Sequence, residues 1–215
     1  MKLARFFWIA AVILLLSVNG FAQQTVKVAC IGDSITEGSG SSDRKTASYP
    51  AILAKLLGDG YEVGNFGRSG RTLLKNGDFP YWNEALFQES QEFLPDIVVI
   101  KLGTNDTKPQ NWDKYGVEFE GDLRELVEVY RNLPSQPKVY LCYPAWAERV
   151  NFSIRPDVLV SQVIPAIDKV AREMNVSVID LQTTLYGMPH LLPDGIHPND
   201  LGYILVAKDV YDRIK

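Results

Sequence analysis

A serine hydroxyl becomes a nucleophile when an imidazole takes its proton and a carboxylate holds that imidazole in place. The chain has 215 residues and two histidines, so the search for such a set is short. His197 stands in Asp194-Gly195-Ile196-His197-Pro198-Asn199, three residues after a carboxylate that can orient its ring. His190 lies among Met188, Pro189, Leu191 and Leu192, with no acid nearby except Asp194. Ser34, in Gly32-Asp33-Ser34-Ile35-Thr36-Glu37-Gly38, directly follows an apolar β-branched run. Backbone N–H groups and a helix dipole at such a turn favour developing negative charge. Asn105, in Gly103-Thr104-Asn105-Asp106, follows another such run, and its amide can donate to an oxyanion. Each of these residues also has a plainer reading. Ser34 and Glu37 spell a helix capping box, Asn105-Asp106 a turn, His197 a cap for the last helix, and Asp194 a solvated turn residue. Taken singly, none of them decides the matter.

The elements that must position these residues follow from hydrophobic periodicity. Strands are expected at Val26–Ile31, Glu62–Asn65, Ile97–Leu102, Val139–Cys142 and Val176–Asp180. Helical patterns occupy Ser48–Leu57, Tyr81–Leu94, Val117–Leu133, Asp157–Met174 (kinked by Pro165) and Leu201–Ile214. Strands alternating with helices imply βαβ units and a buried parallel sheet, here a three-layer α/β/α domain. Five such strands most simply take the flavodoxin-like order 2-1-3-4-5. In that order Ser34 and Asn105 leave neighbouring strands at the carboxyl edge of the sheet, where ligands bind in open α/β folds. Strand 2 ends there too, in Asn65-Phe66-Gly67-Arg68-Ser69-Gly70-Arg71.

Composition narrows the classes. A chain that is 46% hydrophobic and 22% charged is an ordinary globular domain. Residues 1–22 read as a signal peptide: Lys2 and Arg5, a 13-residue apolar run Phe6–Val18, then Gly20-Phe21-Ala22. Thirteen apolar residues fall short of the ~20 that span a bilayer, so no stable membrane span is expected once the leader is cleaved. Residues 23–215 then form a single domain in a secreted or periplasmic setting. Losing Lys2 and Arg5 shifts the net charge from −4 to 20 − 26 = −6, unsuited to nucleic acid. The two cysteines, Cys30 and Cys142, fall on strands separated by a third, and two spacings of ~4.8 Å exceed the ~7 Å limit for a disulfide. With two histidines and two separated thiols, no metal is expected, and no cofactor motif is present.

Four blocks together resemble one family, the SGNH hydrolases, also called GDSL esterases or lipases. They are Gly32-Asp33-Ser34, Asn65 to Gly70, Gly103-x-Asn105-Asp106 and Asp194-x-x-His197, in the family's order. The resemblance implies that Ser34 attacks an ester carbonyl, with His197 as base and then acid and Asp194 orienting it. It also implies an oxyanion hole made by the N–H groups of Ser34 and Gly70 and the Asn105 amide. A closer likeness of VGNFGRSGRTLLKNGDFPYW (63–82), with SYPAILAKLL before it, points to bacterial secreted carbohydrate esterases of the sialate O-acetylesterase type. That implies a small acyl ester, acetyl above all, carried on a glycan. Arg68, Arg71, Trp82 and Trp146 are the candidate substrate contacts, through sugar stacking or carboxylate pairing. A lysophospholipase or short-chain thioesterase on the same triad is the alternative enzyme. A non-catalytic glycan-binding module is the alternative of another class.

Overall fold

The computed structural model describes residues 25–215, so the expected signal peptide lies outside the described residues. Five parallel strands form one sheet: β1 (Val26–Gly32), β2 (Tyr61–Gly67), β3 (Ile97–Lys101), β4 (Lys138–Tyr143) and β5 (Ser177–Asp180). Their order is β2-β1-β3-β4-β5, as the sequence predicts. The register aligns Gly32 with both Gly67 and Lys101, so β1, β2 and β3 end together.

Side chains alternate across each strand, and the two faces bury separate cores. Ala29, Ile31, Val98, Ile100, Val139 and Leu141 point to one face. Val28, Cys30, Val99, Tyr140 and Cys142 point to the other. Among the described residues, ten α-helical segments surround the sheet. The first three are α1 (Ser34–Glu37), α2 (Arg44–Ala47) and α3 (Tyr49–Leu57), followed by α4 (Ala85–Glu92), α5 (Pro109–Tyr115) and α6 (Phe119–Arg131). The last four are α7 (Pro156–Val158), α8 (Ile164–Met174), α9 (Leu181–Thr184) and α10 (Asp200–Ile214). α6 and α8 supply the first core, α6 through Phe119, Leu123, Leu126, Val127 and Tyr130 at helical spacing. α3 and α10 supply the second, with Tyr49, Leu53, Tyr203, Val206 and Val210.

Several expected elements differ in detail. The 81–94 segment is a 3₁₀ turn, Tyr81–Asn83, followed by α4. Around Pro165 the helix widens instead of merely kinking, with a π turn at Leu159–Val163 between α7 and α8. Proline lacks the N–H that would continue an α ladder, and a wider turn absorbs the loss. Cys30 and Cys142 are buried and unbridged, with β3 between their strands. Burial pushes the Cys30 thiol up to about 12, outweighing a hydrogen bond with Tyr49.

Candidate active site

β1 runs into α1 without a loop, which fixes what Ser34 can do. Asp33 is the N-cap of α1 and its carboxylate accepts the Ile35 N–H at 3.0 Å. Ser34 is therefore the first helical residue, not the cap, and the capping-box reading gives way. Its hydroxyl is free to turn outward, and its backbone N–H is one of the donors a helix leaves unpaired. Glu37 also serves a different purpose. Its carboxylate accepts the Ser69 N–H at 2.9 Å and the Ser69 hydroxyl, tying the strand 2 loop to α1.

Ser34 Oγ lies 2.9 Å from His197 Nε2 although the two are 163 residues apart. On the other side of the ring, His197 Nδ1 is 2.7 Å from Asp194 Oδ2. A carboxylate at Nδ1 assigns the proton there and leaves Nε2 as the acceptor of the serine proton. Asp194 Oδ1 accepts the backbone N–H groups of Ile196 and His197 at 2.9 and 2.7 Å, closing a tight turn. Partial burial pushes the Asp194 carboxyl up, but these backbone bonds and the ring outweigh it and hold the group below the usual carboxylate range. The last helix has its own cap, Asn199, which accepts the Gly202 N–H, so His197 is not needed as one. The loop after α1 also presses close: a Cβ on Gly40 would fall 2.6 Å from Pro198 O and 3.0 Å from His197 Cβ.

The prospective donors share this edge. Asn105 is buried, and its Nδ2 donates one proton to Arg71 O at 3.1 Å. An amide carries two protons, so the bond fixes its direction and leaves one free. Gly70 has φ +82°, a left-handed conformation that turns the strand 2 loop back toward α1. Asp106 Oδ2 and Oδ1 accept the N–H groups of Leu73 and Leu74 at 3.1 and 2.7 Å, which ties that loop to the end of β3.

Beneath Ser34 lies a second polar cluster that sequence reasoning missed. Lys101, fully buried at the end of β3, donates to both Asp33 oxygens at 2.9 and 3.0 Å and to Thr104 Oγ1 at 2.9 Å. A lysine in the otherwise apolar run Ile97–Leu102 was the available signal, since a buried cation demands a partner. Also missed was the turn Asn151–Ile154. Asn151 Nδ2 donates to Asp194 O at 2.9 Å, and the exposed Phe152 ring stands 5.6 Å from the His197 ring. Phe152 and Ser153 have φ +51° and +62°, unusual for such residues.

The candidate substrate contacts are placed unevenly. Arg68 is exposed and 3.9 Å from both Glu37 and Glu84, whereas Arg71 makes a close pair with Glu84. Trp82 donates its indole N–H to Leu73 O at 2.7 Å and packs on Phe87, so its ring is committed to the core. Trp146 stands beyond β4 against Tyr186, with ring centroids 5.6 Å apart. Among the described residues no group of three or more His, Cys, Asp or Glu is arranged to hold a metal ion. No described helix is long and apolar enough to cross a membrane.

Fold and constellation together define a class, that of ester hydrolases built on an open parallel sheet. Within it, the chain belongs to the GDSL-like lipase/acylhydrolase family, whose model matches residues 30–205. It is 39% identical over 217 residues to an acetylxylan esterase of Xylanibacter ruminicola, an alignment covering 93% of this chain. The chain spans only 45% of that relative's length. Among solved structures, a putative arylesterase from Agrobacterium tumefaciens superposes with a TM-score of 0.71 at 18% identity, covering 88% of this chain and 98% of that one. The acetyl xylan esterase AlAXEase gives 0.68 at 24% identity, covering 88% of this chain and all of that one. These two likenesses show the shared fold.

Proposed function

We propose that this protein removes acetyl groups from xylan or a closely similar plant polysaccharide by a serine mechanism. The observation that carries the reading is the unbroken relay from Ser34 Oγ to His197 Nε2 and from Nδ1 to Asp194. In the first half-reaction Ser34 Oγ attacks the acetyl carbonyl carbon as its proton passes to His197 Nε2. The carbonyl oxygen becomes an oxyanion, held by the N–H groups of Ser34 and Gly70 and the free amide proton of Asn105. The intermediate collapses, the bond to the sugar oxygen breaks, and His197 returns its proton to that oxygen. In the second half-reaction a water gives a proton to His197 and attacks the acetyl-serine. Ser34 leaves with that proton, and acetic acid is released. Asp194 stays ionised throughout and stabilises the imidazolium in each intermediate.

The acetylxylan esterase relative supports the choice of substrate. So does the exposed Phe152 ring beside His197, which offers an aromatic face at the point where a sugar would sit. Residues 1–22 are proposed to direct export, with mature protein beginning at Gln23. The experiment is acetic acid release from acetylated xylan, run beside a p-nitrophenyl ester series from acetate to octanoate. Release from xylan and turnover falling with chain length are expected; turnover that climbs toward octanoate, with xylan untouched, would sink the proposal.

A further inference from the structure

Beyond the Ser34 site, the carboxyl edge of the sheet carries a separate hollow of about 350 Å³, lined by Trp146, Pro156, Leu159, Val160, Gln182 and Tyr186 among others. Its walls are aliphatic and aromatic, and Trp146 and Tyr186 meet edge to face. Tyr186 and Val160 are exposed although they are large and apolar. Two polar side chains join this mostly apolar lining, Gln182 and Thr183, and Gln182 Oε1 is buried and has no hydrogen-bond partner among the described residues. A buried acceptor without a donor is costly, and rotation of the half-buried Gln182 side chain toward the hollow would let a ligand hydroxyl satisfy it. An apolar hollow with a small number of polar groups is the usual form of a binding site.

Position identifies the ligand. Trp146 follows the end of β4 and Gln182 follows the end of β5, so the hollow opens on the sheet edge that carries Ser34. In the order β2-β1-β3-β4-β5, those strands stand two and three places from β1. At ~4.8 Å per strand this is roughly 10–14 Å across the sheet, too far for an acetyl group bonded to Ser34 but within reach of a chain of sugars. Aromatic rings that can stack on pyranose faces, beside an acceptor for a hydroxyl, suit a sugar better than a hydrocarbon tail.

We propose that the hollow between Trp146 and Tyr186 is a distal subsite. It would bind a sugar unit of the same polysaccharide more than one residue away from the one being deacetylated. The inference rests on the acetylxylan reading and deepens it. It requires that oligosaccharide length matter to turnover.

The test measures kcat/KM for acetic acid release from acetylated xylo-oligosaccharides of increasing length and from ethyl acetate, which cannot reach the hollow. For the wild type, kcat/KM should rise with oligosaccharide length. In Tyr186→Ala the ratio of long oligosaccharide to ethyl acetate should fall about five- to tenfold, as expected for loss of one aromatic contact. Gln182→Met, which keeps the side-chain volume, should lower the same ratio while leaving the shortest oligosaccharide alone. A ratio unmoved in both variants overturns the subsite while the esterase stands. A selective loss on octanoate esters overturns it in favour of an acyl pocket. A wild type inert toward ethyl acetate and oligosaccharides alike overturns the proposed activity together with the subsite.

Discussion

Two polar clusters lie one residue apart at the end of β1, and they are built for opposite ends. The Ser34–His197–Asp194 set reaches solvent, with side-chain exposures of 14% for His197 and 35% for Asp194. The Asp33–Lys101 pair beneath it is wholly buried, at 0% for both side chains. In the first, the groups are held by one to three bonds each and remain partly open to solvent. In the second, Asp33 is fully engaged by the Ile35 N–H and the lysine, and Lys101 is shared with Thr104. Water near the outer set lets protons come and go. Its exclusion from the inner one makes the ions rigid, because breaking the pair strands a charge in a poorly polarisable interior. The inner pair joins the end of β1, which carries Ser34, to the end of β3, which leads into Asn105. One cluster is thus suited to chemistry, and the other fixes the spacing between the proposed nucleophile and one of its proposed oxyanion donors.

That contrast can be broken most sharply at Ser34. Ser34→Ala should lower kcat on acetylated xylan by on the order of 10⁴–10⁶-fold while barely moving the thermal midpoint. A comparable fall in both would mean that the outer cluster is structural after all. Lys101→Met should do the reverse in kind. Removing the cation leaves Asp33 buried and unpaired, at a cost of about 3–5 kcal/mol of stability by urea unfolding. The double variant Lys101→Met/Asp33→Asn should recover much of that loss, because no lone charge remains. A single variant as stable as the wild type would show that the pair holds nothing in place.

What the sequence made legible, and what it hid, divides along the same line. Sheet order and the Ser34, Asn105 and Asp194–His197 blocks could be read because each rests on local signals: β-branched runs, turn residues, an acid three residues before a histidine. Where a local signal misled, a neighbour had already taken the role. The Ser34–Glu37 capping pattern failed because Asp33 occupies the cap and Glu37 is drawn to Ser69. The Asn151–Ile154 turn was hidden for another reason. Nothing near Phe152 in the chain says that its ring will stand beside an imidazole 45 residues further on. Trp82 shows the limit of reading residue type alone, since an indole close to a site in sequence is spent on Leu73 O and Phe87. The π turn at Leu159–Val163 could be foreseen only as a disturbance at Pro165.

The smallest expected effect concerns Asp106, which belongs to the buried set by position yet lacks a cation of its own. Burial pushes its carboxyl up to about 7, against the N–H bonds from Leu74 and Leu73 that favour the ionised form, and the charge of Asp33 adds to the rise. In the unfolded chain an aspartate loses its proton near ~3.9. Between these values the unfolded chain ionises while the folded protein does not, so this group favours folding fully below the lower value. The contribution declines as pH rises and is gone above about 7. Asp106→Asn removes the titration. The thermal midpoint of the variant relative to wild type should therefore climb between pH 4.5 and 8, by an amount on the order of 1–3 kcal/mol when expressed as stability. A difference between Asp106→Asn and wild type that stays flat across that range would mean that the two backbone donors alone keep Asp106 ionised. The buried set would then hold a second stable charge without a counter-ion.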